Sequence, residues 1–178
     1  MAGDGKLAVL TSPGVLAAPG VQVFANAATD PAGPPTPADS DLYYNNVLRD
    51  WMEYDGGRAK WLSITTLQLV AGRRGNISTG TFLRGVGTLV LDAGNRGIPC
   101  QKGTIVYLAV TRTDAGLATI EVLNNGGVVA TLATSVAGPQ STTAINVDVA
   151  SGLLSFRNAA VGSAMSNVQI ALGYKRRI

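Results

Sequence analysis

From Ile64 onward, apolar and polar positions alternate with a period of two, in short runs separated by Gly, Asn and Asp at intervals of roughly 8 to 12 residues. Val106, Leu108 and Val110 form one such run and Ala118, Ile120 and Val122 the next, followed by the turn sequence Asn124-Asn125-Gly126-Gly127. Val128 to Thr134 follow, then Gly138-Pro139, then Ile145, Val147 and Val149. Ser151-Gly152 leads into Leu154 and Phe156, and Val168, Ile170, Leu172 and Tyr174 close the series. With less regular strands expected around Thr65 to Ala71 and Thr81 to Leu91, the total is about eight. Alternation buries one face of each strand, so two sheets packed face to face are predicted. The best helix candidates, Leu153 to Ala160 and Asp39 to Leu48, lack an apolar face at 3.6-residue spacing. The expected fold class is all-β.

Leu42 to Ile64 has a different character. It holds Tyr43, Tyr44, Trp51, Tyr54 and Trp61, five of the ten Tyr, Trp and Phe residues. Asp55-Gly56-Gly57 is turn chemistry between two short strands, and a turn over Val47 to Asp50 adds Leu42 to Asn45 as a third. A meander of about 23 residues is too small to stand alone and must pack on something larger or on copies of itself.

Residues 1 to 41 contain Pro13, Pro19, Pro31, Pro34, Pro35 and Pro37, six of the eight prolines. They predict an arm without regular structure. The arm carries Leu7, Val9, Leu10, Val15, Leu16, Val21, Val23 and Phe24, too apolar for a solvated linker, so it should be buried against a partner. Extended, about 40 residues at about 3.3 Å each span on the order of 130 Å. Lys6 before an apolar stretch and Ala25-Asn26-Ala27 imitate a secretory signal, but Thr11-Ser12-Pro13-Gly14 and Pro19-Gly20 break the stretch. No run approaches the 18 apolar residues of a membrane helix. A soluble protein made in the cytoplasm, with no membrane partner, is expected. The predicted division is an arm (1–41), an aromatic meander (42–64) and a β-sandwich (65–178).

Charged residues are only 14% of the chain, and the 14 Lys and Arg are scattered apart from Arg73-Arg74 and Lys175-Arg176-Arg177, so no nucleic-acid partner is expected. The basic tail could pair with acidic groups on a neighbour or simply be solvated. Cys100 stands alone, which removes an intrachain disulfide and a cysteine zinc site, and it is read as a small buried hydrophobe. No histidine is present, which excludes serine triads and histidine-based zinc sites. Most of the eleven carboxylates stand beside turn residues, which argues against a paired-carboxylate glycosidase. Asp39-Ser40-Asp41 and Asp50 to Asp55 lack the calcium-loop pattern and read as turn stabilisers. Gly85-Val86-Gly87 lacks the third glycine and the helix of a dinucleotide site and reads as a bend between strands. Asn76-Ile77-Ser78 is a glycosylation sequon only if the chain is secreted. Trp51, Tyr54 and Trp61 are candidates for a sugar-stacking platform or an inter-subunit contact, against the plainer reading that they form the meander's own core. No enzyme activity and no cofactor are expected.

Leu42-Tyr43-Tyr44-Asn45 with Trp51, Tyr54-Asp55-Gly56 and Trp61 resembles a module that recurs in phage virion proteins of the head-fibre, capsid-decoration and tail-fibre type. The resemblance continues through Gly75 to Arg84 with Ile98-Pro99, Ile120-Glu121-Val122 before Asn125-Gly126, Asn146 to Gly152, and Leu154-Ser155-Phe156. Leu153 and Ser166-Asn167 depart from it, standing where such proteins often have a polar residue and Asn-Pro. It implies a structural role on the virion and no catalytic residue. The expectation is a capsid-decoration or cement protein on the shell surface, a homotrimer with a jelly-roll sandwich, whose arm grips the major capsid protein. The competing expectation is a tail-fibre or receptor-binding module that contacts a host surface glycan.

Overall fold

A computed structural model describes residues 16–18, 21–32, 36–85, 91–92, 96–159 and 162–178. Among them every regular element is a β-strand and none is a helix, so the protein is all-β. The chain divides into two compact units, Met1–Thr65 with Arg177–Ile178, and Thr66–Arg176.

The first unit is one five-stranded sheet in the order β1 (Leu16–Ala18), β2 (Val21–Val23), β3 (Leu42–Asn45), β4 (Asp50–Asp55) and β5 (Lys60–Ser63). Strands β3 to β5 form the antiparallel meander, with Tyr44 opposite Trp51 and Tyr54 opposite Trp61. Its first turn is held by Asn45, whose Oδ1 accepts from the Val47 and Leu48 amides at 2.9 and 2.8 Å. In the second, Asp55 Oδ1 accepts from the Arg58 amide at 2.9 Å and its other oxygen pairs with the Arg58 guanidinium at 2.6 Å. The left-handed residue there is Ala59, at φ 53°, and not Gly56 or Gly57. The side-chain clamp fixes a four-residue turn, which displaces the left-handed position past the glycines.

The arm differs from its expectation. Two short stretches of it are regular, because β1 and β2 pair antiparallel, with Leu16 opposite Val23. Strand β2 then joins β3 in parallel, Val23 beside Leu42. Proline density dominated the sequence pattern, but Val21 and Val23 are β-branched and pair once a sheet edge is offered. The expected boundary between residues 41 and 42 therefore falls inside a single sheet. Leu7, Val9, Leu10 and Val15 lie outside the described residues.

The second unit contains β6 (Thr66–Ile77), β7 (Ile98–Cys100), β8 (Gly103–Arg112), β9 (Ala118–Asn124), β10 (Gly127–Thr134), β11 (Gly138–Thr142), β12 (Val147–Val149), β13 (Gly152–Asn158) and β14 (Met165–Arg176). One sheet has the order β11-β8-β14-β6, with β12 continuing along β8, and the other has the order β10-β9-β13-β7. The antiparallel pairings nest, β6 with β14, β7 with β13, β8 with β11 and β9 with β10. Pairs β8–β14 and β9–β13 then join these ribbons side by side.

The two sheets enclose one core, with Ile105, Leu108, Ile170 and Leu172 from the first and Ile120, Val122, Leu154 and Phe156 from the second, all 1% exposed or less. Every position predicted to face the core on β9, β13 and β14 is buried, although Leu123, Ser155 and Gly173 beside them are buried as well. The alternation slips on β8, where Ile105 and not Val106 is fully buried. Gly173 pairs with Tyr107 and Tyr174 with Ile105, so a bulge inserts Val106 and reverses the faces on either side. Asn125 and Gly126 form a two-residue hairpin loop at φ 50° and 86°, the left-handed pair a type I′ turn requires.

Of the strand expected from Thr81 to Leu91, residues 86–90 lie outside the described residues, and residues 81–85 form isolated bridges in place of a continuous strand. Phe82 makes a single bridge to Arg157 and Arg84 one to Gly72. The Leu83 amide donates to Phe156 O at 2.9 Å, while Gly72 and Arg84 exchange bonds of 2.8 and 2.9 Å. This short segment therefore pairs with one sheet through β13 and with the other through β6, which covers what would be an open edge. At one end of β8, Arg112 is 1% exposed and donates to the carbonyls of Gly116, Thr134 and Val136, tying the loops after β8 and β10 to the core. Carbonyl dipoles stabilise the buried guanidinium there.

Candidate binding surface

Trp51, Tyr54 and Trp61 do not form one platform. Side chains alternate along a strand, so Trp51 points away from the face that carries Met52 and, at the next even position, Tyr54. Trp61 pairs with Tyr54 and shares that face. It is 4% exposed and packs edge-on against Phe24, Tyr43 and Tyr54, with ring centroids 5.4, 4.9 and 5.3 Å away. Phe24, Tyr43, Met52 and Trp61 form the unit's core, with Ala27, Leu48 and Tyr54 half-buried against it. On the other face Trp51 is 42% exposed and meets Tyr44 edge-on at 5.6 Å. The surface left for a ligand is the Trp51 ring with the Tyr44 edge beside it.

The core is closed by a stretch that the sequence pattern assigned to the irregular arm. The Phe24 amide donates to Leu42 O at 2.7 Å, and Ala27 bridges in parallel to Asn45. Tyr43 donates its hydroxyl to Asp30 Oδ1 at 2.7 Å and accepts from Asn45 Nδ2 at 3.0 Å, and Trp61 Nε1 donates to Pro31 O at 3.1 Å. Burial, and then the bond to Asp30, push the Tyr43 phenol well above its ordinary value. Each polar tip of the aromatic core is thus satisfied from residues 30 and 31 or from Asn45. Asp30 and Pro31 carry no motif that marks them in sequence.

Of the expected arm contacts, Phe24 is 8% exposed in this core and Val23 is half-buried. Leu16 and Val21 lie in β1 and β2. Phe24 is a structural residue of its own unit and not a free contact. The Asp39 and Asp41 carboxylates act as turn stabilisers: Asp39 Oδ1 accepts from the Gly56 amide and Asp41 Oδ2 from the Ala38 amide, both at 2.7 Å. No cluster of three or more His, Cys, Asp or Glu side chains able to hold a metal is found among the described residues. Cys100 is buried, and its thiol sits above its ordinary pKa through burial. Lys175, Arg176 and Arg177 are half-buried, the first two within β14, and Arg176 donates to Gln101 Oε1 at 3.3 Å. Among the described residues no helix is long and apolar enough to cross a membrane.

Searches against protein-family models and against curated proteins find no match to this chain.

Proposed function

We propose that this chain is a structural protein of a phage virion, a non-enzymatic capsid-decoration or cement protein that assembles as a homotrimer on the outer shell. We read the sandwich as a jelly roll. The nesting of its pairings, first strand with last and so inward to the β9–β10 hairpin, supports this, because a long antiparallel ribbon rolled on itself pairs in that order. Jelly rolls serve as capsid and lectin domains, a fold-level analogy compatible with either expected role.

The rooting of the N-terminal segment is the observation that favours the shell. From Leu16 the chain is built into the aromatic unit through β1, β2, Phe24, Asp30 and Pro31. The apolar residues that precede it, Leu7, Val9, Leu10 and Val15, are therefore delivered from a fixed base. In this reading they bury apolar area against the major capsid protein, and the gain of about 25 cal/mol per Å² repeats over many copies. A chain lacking residues 1–15 keeps the whole described unit, so it should lose shell binding while retaining its fold. Undiminished decoration of purified shells by that truncated chain overturns the proposal.

A second reading, a receptor-binding module of a tail fibre, is favoured by one feature, the exposed Trp51 ring beside Tyr44. Saturable binding to host cells that Trp51→Ala abolishes would establish it in place of the first.

A further inference from the structure

We infer that the outer face of β6 and β14 carries a binding site for an extended acidic peptide, centred on Gly72 and built by Arg74 and Arg84. The site is independent of the proposed shell contact.

Gly72 lies between two partners, Arg84 on one side and Gln169 of β14 on the other. Residues opposite one another in an antiparallel pair point to the same face, so the Arg84 and Gln169 side chains flank a position that has none. Val70 and Arg74 are two residues away along β6 and share that face. All four side chains are exposed, Val70 at 52%. Arg73 falls on the opposite face and donates Nη1 to Phe82 O at 3.2 Å. The result is a groove of about 840 Å³ with Gly72 in its floor. A Cβ on Gly72 would stand 2.8 Å from Val168 O, so a side chain at this position would require the backbone to shift.

No carboxylate among the described residues pairs with Arg74 or Arg84. Two planar guanidinium forks thus face the groove unneutralised, and that geometry matches carboxylates. None of the lining residues is aromatic, which removes the stacking surface that sugars and nucleic-acid bases use. Val70 supplies apolar contact instead. Arg84 stands beside Gly72 and Arg74 two residues further on, an offset of about 6.8 Å along the strand. Alternate side chains of an extended peptide have the same spacing, so the ligand is a Glu-X-Glu or Asp-X-Asp segment with a small apolar neighbour.

The test uses the full chain and a fluorescently labelled peptide with glutamate at alternate positions, separated by valine and serine, followed by anisotropy. Comparators are the same peptide with glutamine for glutamate, a sulfated oligosaccharide and a single-stranded oligonucleotide. Saturable binding of the acidic peptide is expected, weakened roughly tenfold or more in the Arg74→Glu/Arg84→Glu double variant and by raised salt, with no binding of the glutamine peptide. Both arginines are exposed, so the variant should keep the parent's circular dichroism, and Arg74→Gln/Arg84→Gln gives a milder second pair. The inference is overturned if the acidic peptide does not bind saturably, if neither double variant weakens it, or if the oligosaccharide or oligonucleotide binds more tightly. No shells enter the measurement, so a failure of the proposed virion role leaves the result standing.

Discussion

Replacing Phe24 by Ala tests whether the N-terminal segment is part of the aromatic unit. The ring is 8% exposed and packs edge-on against Trp61 at 5.4 Å, so its removal leaves a cavity beside the unit's largest side chain. Phe→Ala changes at such sites cost about 3–5 kcal/mol. A unit of about 50 residues has a total stability of roughly 3–7 kcal/mol at the usual value per residue. The substitution therefore removes half or more of it, and the melting midpoint should fall by about 12 °C or more. Both tryptophans, Trp51 and Trp61, lie in this unit, so tryptophan emission, excited at the red edge where Tyr107 and Tyr174 do not absorb, follows its unfolding without a fluorophore from residues 66–176. The emission should also start further to the red in the variant, as Trp61 becomes wet. An unmoved fluorescence midpoint would refute the assignment and return residues 16–41 to the status of a detached arm.

Three further substitutions probe the sandwich and the aromatic core. Gly152 has φ 145°, and a Cβ there would overlap the Asn125 amide, whose Oδ1 accepts from the Leu153 amide at 2.9 Å and whose Nδ2 donates to Ser151 O at 3.2 Å. Gly152→Ala should cost about 2–4 kcal/mol in denaturant unfolding, from backbone strain plus the displaced bonds. In an Asn125→Ala background the cost should shrink to the strain alone, and equal costs in both backgrounds would show that the overlap is not the cause. Tyr43 is raised in the folded state by burial and by Asp30, so its contribution is complete below the unfolded value near 10 and is lost as pH rises beyond it. The aromatic unit should therefore destabilise in alkali, and Tyr43→Phe should flatten that loss; a pH-independent fluorescence midpoint above pH 10 counts against the buried phenol.

How far the fold could be read from the sequence depended on whether a strand kept its period. On β9, β13 and β14 the positions that the alternation assigned to the core are buried, and the pattern named Ile120, Phe156 and Leu172 correctly. On β8 a single bulge residue, Val106, reversed the faces, and a bulge leaves no mark in a run of Val, Tyr and Leu. The separation of Trp51 from Tyr54 and Trp61 was legible in principle. Trp51 is at an odd position of β4 and Tyr54 at an even one, so parity alone places them on opposite faces. The hydrogen bonds of Asp30 and Pro31 were not legible, because they depend on the chain returning along β3 after a proline-rich detour. Arg74 and Arg84 are likewise ten positions apart, and only the bridge at Gly72 brings them to one groove.

These long-range bonds also decide where the arm can be cut. Removing residues 1–38, as composition alone invites, deletes Phe24, Asp30 and Pro31 together. That strips a core ring, the acceptor of the Tyr43 hydroxyl and the acceptor of the Trp61 indole. The two lost bonds add about 1–3 kcal/mol to the cavity cost, enough to unfold so small a unit. Loss of shell binding in that truncation would then report unfolding and not the arm. Cutting before Leu16 leaves β1 and every one of these contacts in place, so the truncated chain must keep the parent's tryptophan emission and melting midpoint. Only under that condition does a loss of shell binding assign the contact to Leu7, Val9, Leu10 and Val15.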